Sequence, residues 1–479
     1  MKRFILMFSM VVCLYEPFAE ARTRKQLNPG MEYLESSFEA YDSLQKKIHS
    51  FAEPGYLEYK SSEALAGHLE KHGFKVERGV AGIPTAFVAS YGCGKPVIGI
   101  LAEYDALPGM GQDTLAYPSP LPGAGHGCGH NLLGSAAVAG AVAISKCLDQ
   151  YKSGTVCVFG CPAEEGGGGK AYMVREGCFE NVDIVLDWHP DTQICVNDKT
   201  GLANVQVRFT FEGRSAHASG APENGRSALD AVEAFDYMMN MMREHIPSDS
   251  RIHYVITDGG RSANIVPDRA EVQYYLRNPS RTVVGNLLSR AVKAAEGAAL
   301  GTETSMKYEI VSGNYERLPN DHLSALIYRN LVKVGGIVYD DRELSFAKEM
   351  MANSDVADFD QALSGIRNVV TSDNNILSDW VSSDVGNVTW VVPTGSFRMA
   401  SFVPAGGGHC WQQTSSGGTT IGTKGLMAAA KVFCLTACDL LGQPSLILEI
   451  QAEFDSKRPA GFKFEPLMGD RKPPLDYRK

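Results

Sequence analysis

The chain reads as an α/β protein in which a larger, discontinuous domain is interrupted by a smaller α+β one. Two patterns predict this. Before residue 190, short continuous apolar runs with the character of doubly buried strands alternate with helical stretches. Near residue 203 the pattern changes to strict polar–apolar alternation, the mark of half-exposed antiparallel strands, and helix–strand alternation resumes after Leu318-Pro319. At 479 residues the chain also exceeds one ordinary compact domain.

In order along the chain, residues 22–72 are expected to be helical, with an apolar stripe through Leu34, Phe38, Tyr41 and Leu44 and a further segment from Ser61 to His72. Pro96 to Ala102 is a buried strand that ends in Glu103-Tyr104-Asp105-Ala106-Leu107-Pro108. Residues 131–149, rich in Ala and Gly, form a buried helix, and Thr155 to Phe159 and Asp183 to Asp187 are further interior strands. In the interrupting segment, Ala203 to Glu212, Ala270 to Arg277 and Thr304 to Val311 read as strands. Ser227 to His245 and Thr282 to Leu300 read as amphipathic helices. A long Ala-rich helix from Thr423 to Leu441 closes the pattern. The division is a catalytic domain over 22–202 and 316–454, an insertion over 203–315, and a charged, Pro-rich tail over 455–479 draped on the surface.

The first 21 residues have the layout of a signal peptide: basic Lys2-Arg3, apolar Phe4 to Tyr15, and the small-x-small triplet Ala19-Glu20-Ala21. Export is expected, to a bacterial periplasm, with no stable membrane insertion after processing because the apolar stretch is too short to span comfortably. An uncleaved anchor is the alternative; a lipoprotein through Cys13 is disfavoured because Val12 before it is not small. Of the 11 cysteines all but Cys13 would remain, in no zinc-finger spacing and mostly in apolar contexts. A formal charge of −10 without a basic stripe argues against a nucleic-acid partner.

Chemistry-bearing residues cluster just past the ends of the apolar runs, where open α/β sheets place ligands. Gly125-His126-Gly127-Cys128-Gly129-His130-Asn131, Pro162-Ala163-Glu164-Glu165-Gly166, Trp188-His189-Pro190 and Gly408-His409 put a thiol, imidazoles and carboxylates into short segments. These donors suit a borderline divalent ion. In the Glu164-Glu165 pair one carboxylate suffices for a metal, and its neighbour would stand where a general base belongs. Each piece alone has a plainer reading: a Gly-His pair as a turn, a Glu-Glu pair as a solvated helix start, His126 as a packed side chain, Asp105 as a turn cap. The main enzyme alternative, Ser/His/Asp catalysis, lacks a Gly-x-Ser-x-Gly elbow.

Taken with Gly213-Arg214-Ser215-Ala216-His217-Ala218 and Ser382-Ser383-Asp384-Val385-Gly386-Asn387-Val388, these motifs resemble, in order and over residues 30–445, the dinuclear metallo-amidohydrolases of the aminoacylase/carboxypeptidase family, in its aminobenzoyl-glutamate utilisation branch. The resemblance implies a zinc-peptidase-like α/β catalytic domain with a mixed sheet, interrupted by an α+β lid that also mediates dimerisation. It implies two divalent metal ions, zinc or manganese, on Cys128, His130, Glu165, His189 and His409. Glu164 would be the general base, Asp105 a carboxylate orienting a ligand, and His217 a lid residue that steadies the oxyanion in the partner's site. Asn264 and Arg277 would hold a substrate carboxylate; their plain alternatives are a turn residue and a solvated strand end. The implied reaction is amide hydrolysis of N-acyl or N-aroyl amino acids, with p-aminobenzoyl-glutamate the best candidate. The expected partners are that small carboxylate-bearing amide and a second copy of the chain, with a companion subunit as an open addition. A dipeptidase or deacylase of other conjugates, and a non-catalytic binding protein on the same scaffold, are the competing readings.

Overall fold

The computed structural model describes residues 28–354, 358–369 and 381–478. The signal segment expected over residues 1–21 lies outside them. Eleven strands are formed among the described residues: β1 (Lys75–Arg78), β2 (Phe87–Cys93), β3 (Val97–Ala102), β4 (Gly154–Gly160), β5 (Ile184–Asp191), β6 (Cys195–Val196), β7 (Ala203–Glu212), β8 (Arg251–Asp258), β9 (Arg269–Asn278), β10 (Ser305–Asn314) and β11 (Thr394–Ala400). The principal sheet has seven strands in the order β1-β2-β4-β3-β5-β11-β6. Its centre, β4-β3-β5-β11, is parallel, while β2 and β6 run against it and β1 pairs antiparallel with β2. The sheet is therefore mixed, as expected of the fold class.

Helices cover this sheet. α1 (Pro29–Ser36), α2 (Phe38–Phe51) and α3 (Tyr59–Lys71) occupy the segment read as helical. Asn28 caps α1 by accepting the N–H groups of Gly30 and Met31, and Pro29 fits the first turn, which needs no N–H there. Leu34, Tyr41 and Leu44 face inward as the stripe requires. α4 (His130–Cys147) is buried along almost its whole length, which is why its sequence shows no polar face. α5 (Gly169–Arg175) follows β4. After the insertion come α8 (Asp321–Val334), α9 (Asp341–Ala352), α10 (Phe359–Arg367), α11 (Val385–Thr389), α12 (Trp411–Gly417), α13 (Thr420–Gly442) and α14 (Pro444–Lys457). α4 and α13 are long and apolar enough to cross a membrane, yet their apolar windows are 89% and 72% buried within the protein. They are core helices.

A second sheet, in the order β10-β7-β9-β8, is antiparallel throughout and carries α6 (Ala228–Met242) and α7 (Arg281–Gly301). Its core is separate, built from Val205, Val207, Phe209, Phe211, Phe235, Tyr274 and the inner face of α7. Asn204 pairs with Asn314, so this unit begins and ends side by side.

Three features depart from the sequence reading. β8, β11 and β2 carry no clear strand signal: β8 faces solvent on nearly every residue, and Gly and Ser dilute the apolar character of β11 and β2. His189 lies within β5 rather than past its end. The segment after residue 455 does not simply drape over the surface. Met468 is buried, Tyr477 packs edge-on against Tyr56 with ring centroids 5.6 Å apart, and Arg471 donates to the carbonyls of Ile310 and Val311.

Candidate metal centre

The centre forms where β3, β4 and β5 end and α4 begins. The turn before α4 needs Gly129: its φ is +75°, and a side chain there would come within 2.6 Å of the Phe402 ring. That turn presents Cys128 and His130 to one another's neighbourhood. The ligand atoms of Cys128, His130 and His189 all lie within 4.8 Å of one another, and so do those of Cys128, Glu165 and His409. Cys128 belongs to both groups. The five predicted donors thus form two triads that share one thiol.

The imidazoles are oriented for metal binding. His189 Nδ1 is 2.7 Å from the Pro190 carbonyl, which can only accept, so Nδ1 carries the proton and the lone pair is on Nε2, 3.3 Å from Cys128 Sγ. His130 Nδ1 lies 2.9 Å from Asp105 Oδ1, which leaves Nε2 as the free donor atom. The second oxygen of Asp105 accepts the Glu165 N–H at 2.9 Å. One carboxylate therefore fixes a residue of each triad, the arrangement that sets tautomer and ring direction in metal sites. His409 Nε2 stands 3.2 Å from Glu165 Oε1, and this carboxylate raises the imidazole's pKa.

Two residues at the centre have strained backbones. Ala163 and His409 take φ of +58° and +56°, a region that side chains other than glycine rarely enter. The Ala163 turn is held by Glu58, a buried carboxylate that accepts the Ala163 N–H at 2.8 Å and the Thr85 hydroxyl at 3.0 Å. Burial, with the nearby charge of Asp105, pushes the Glu58 carboxyl up to about 8. The carbonyl of Glu165 accepts from Tyr477 and from Arg478 at 3.2 and 2.9 Å, so the C-terminal segment also braces this loop.

The donor set fits a pair of divalent cations. His130 Nε2 and Glu165 Oε1 are buried and complete no well-aligned hydrogen bond, although Glu103 Oε2 and His409 Nε2 each stand 3.2 Å from them, a costly condition unless something else satisfies them. Negative charge is also in excess. Burial, and then the charges of Glu103, Glu165 and Asp384, push the Glu164 carboxyl well above the usual carboxylate range, with Lys170 opposing. Burial and Glu165 push the Cys128 thiol up. Cations held by the triads would reverse both effects.

Glu103, Lys170 and Asp384 form a buried ionic cluster behind the triads. Lys170 Nζ is 2.5 Å from Glu103 Oε1 and 2.5 Å from Asp384 Oδ1, and its backbone N–H donates to Asp384 Oδ2. Glu103 Oε2 lies 3.2 Å from His130 Nε2. Sequence reasoning assigns none of these three a role. Glu103 and Asp384 sit inside motifs that stand out for other residues, and an ammonium buried at the start of α5 leaves no periodic signal.

The remaining predicted residues divide. His126 turns away from the triads, its Nε2 3.2 Å from the Ile48 carbonyl; burial and the neighbouring imidazoles hold it neutral, with a pKa of about 3. Arg277, on β9, reaches the principal domain by donating to Ser382 Oγ at 3.2 Å and lies over the Tyr275 ring. His217 and Asn264 sit together on the second sheet's loops, through the backbone pairing of Ala218 with Asn264 and of His217 with Ile265. His217 Nδ1 accepts the Gly220 N–H at 3.0 Å, and Asn264 Oδ1 accepts from Ser262. Neither is brought to the triads of its own chain by any contact among the described residues.

A mixed sheet that gathers two ligand triads around a shared thiol, with a spare carboxylate beside them, defines a cocatalytic metallohydrolase. The chain belongs to peptidase family M20/M25/M40, whose sequence profile matches residues 99–371. It is 40% identical over 448 residues to a subunit of the p-aminobenzoyl-glutamate hydrolase of Escherichia coli, covering 88% of this chain and 93% of that one. It is 28% identical over 440 residues to the Xaa-Arg dipeptidase of Mus musculus, covering 89% and 91%. The fold is similar to crystal structures of an aminobenzoyl-glutamate utilization protein from Klebsiella pneumoniae (TM-score 0.59, 17% identity, 84% and 97% covered) and of a dinuclear metal binding peptidase of the same family from Bacillus subtilis (TM-score 0.58, 16% identity, 85% and 99% covered).

Proposed function

We propose that this enzyme hydrolyses the amide bond of aminobenzoyl-glutamate, releasing p-aminobenzoate and glutamate, with two divalent cations held at the Cys128-sharing triads. The observation that carries the reading is the pair of triads with Glu164 next to them, in a chain 40% identical to part of a hydrolase named for that substrate. Zinc and manganese both suit the mixed sulfur, nitrogen and oxygen donors.

When bound, the cations would polarise the scissile carbonyl and lower the pKa of the attacking water. His130 and His189 would hold one cation, Glu165 and His409 the other, and Cys128 both. Glu164 takes the water's proton and returns it to the departing amine. Asp105 keeps His130 and the Glu165 backbone in register. Arg277 suits the glutamate carboxylate because a guanidinium binds carboxylate in a two-pronged way, and Asn264 and His217 act from the lid.

Their separation from the triads within one chain fits a lid that works across a dimer. The exposed edge strand β8, with Tyr254, Val255 and Ile256 open to solvent, and the exposed Tyr237 and Met241 of α6 offer the surface. A companion subunit is a further element of the proposal, since the Escherichia coli relative is itself named as one subunit of its hydrolase. Export of the mature chain rests on the Lys2-to-Ala21 pattern alone.

The test is colorimetric detection of p-aminobenzoate release, with and without a chelator, beside a panel of dipeptides with C-terminal arginine. Chelator-sensitive release is expected. Cleavage of the dipeptides without p-aminobenzoate release would move the assignment to a dipeptidase, and no hydrolysis with any divalent metal would reject catalysis.

A further inference from the structure

Three thiols meet at the opposite end of α4 from His130. Cys147 is the last residue of α4, and Cys434 and Cys438 stand one turn apart on the face of α13 that packs against it. Their Sγ atoms lie within 4.8 Å of one another, and all three cysteines are free. Eighteen helical residues put roughly 25 Å between this point and the triads, so it is a separate place in the molecule.

Buried cysteines are ordinarily small hydrophobes. Here, polar atoms converge on the sulfurs inside an otherwise apolar seam. The Asn28 side chain reaches all three: Cys147 Sγ is 3.0 Å and Cys434 Sγ 3.7 Å from Oδ1, and Nδ2 donates to Cys438 Sγ at 3.3 Å. Gly30, in the first turn of α1, gives its N–H to Asn28 Oδ1 at 2.9 Å, which holds that side chain over the sulfurs. Position 30 has no room for more, since a side chain would come within 2.6 Å of Cys434 Sγ. The N-terminal end of α1 thus faces the sulfurs, and its partial positive charge favours thiolate. The Cys147 and Cys434 thiols beside it, with the Asn28 amide, hold the Cys438 thiol well below its ordinary range.

We propose that Cys147, Cys434 and Cys438 bind a zinc ion, with Asn28 Nδ2 hydrogen-bonded to the Cys438 sulfur. Binding forms three S–Zn bonds, and the S–H bonds of the three thiols break with their three protons going to solvent. The site is structural: it ties the first described helix to the core helices α4 and α13. It also keeps three neighbouring thiols from pairing with one another.

The experiment counts zinc in the full-length protein and records the thiolate-to-metal absorption after Co²⁺ replaces zinc. Cys434→Ser/Cys438→Ser is expected to hold one zinc fewer per chain and to lose most of that absorption, with hydrolytic turnover unchanged. Cys128→Ser should keep most of it. An unchanged zinc count in the double variant overturns the proposal, as does mass-spectrometric detection of a disulfide between any two of the three. Should the double variant not fold, zinc K-edge absorption of Cys128→Ser decides: zinc–sulfur scattering is expected to remain, and its absence overturns the site.

Discussion

Glu164 is the residue on which the chemistry turns, because its carboxyl is raised by burial and by three neighbouring acids and is not needed to complete either triad. Glu164→Gln removes the proton acceptor while leaving Cys128, His130, Glu165, His189 and His409 in place. Metal content measured by elemental analysis should stay at the wild-type level while kcat falls about 10²- to 10⁴-fold; near-normal turnover would exclude the base. His68 makes a different prediction, for stability. Burial, then His72 and Lys71, lower its pKa to about 4, and its Nε2 has no hydrogen-bond partner. Between pH 6.5 and 4 the unfolded chain binds a proton that the folded chain refuses. This contribution is therefore intact above pH 6.5 and is lost as the pH falls toward 4. Urea midpoints should decline less steeply over that window in His68→Gln than in the wild type, and equal slopes would remove His68 from the account.

At the level of elements, α5 is fixed by charge as much as by packing. Lys170 is wholly buried between Glu103 and Asp384, so it joins the ends of β3 and β4 to the start of α11. Lys170→Met leaves two buried carboxylates without their counter-charge, and denaturant unfolding should show a loss of about 3–5 kcal/mol. A loss below that of an ordinary core truncation would mean that the carboxylates are satisfied elsewhere. The same elements show what the sequence could and could not reveal. β3, β4 and α4 were legible because both faces are buried and the apolar runs are continuous. The metal-ligand candidates were legible because Gly-rich turns and a Glu-Glu pair follow those runs. β8 was not, since nearly all of its side chains face solvent. The Lys170 cluster was not, because three charges brought together from positions 103, 170 and 384 have no local pattern. Nor was the grip of Tyr477 and Arg478 on the Glu165 carbonyl, a contact that spans 312 and 313 positions.

For the whole molecule, the position of His217 away from its own triads makes the proposed dimer testable by mixing two crippled chains. His217→Ala keeps a complete centre and lacks the lid histidine; Glu164→Gln keeps the histidine and lacks the base. If the lid serves the partner, an equimolar mixture exchanged into dimers should recover about a quarter of wild-type turnover, one working centre in half of the dimers. Recovery of nothing would place His217 in the service of its own chain or of neither. The two triads also differ in when they can exist. Cys128, His130 and His189 are all synthesised before β7, whereas His409 follows some 220 positions later, and β11, which leads to it, must first settle against β5. The ligands of one triad thus precede the last ligand of the other in synthesis, and a chain that folded as it was made would complete one cation site before its neighbour.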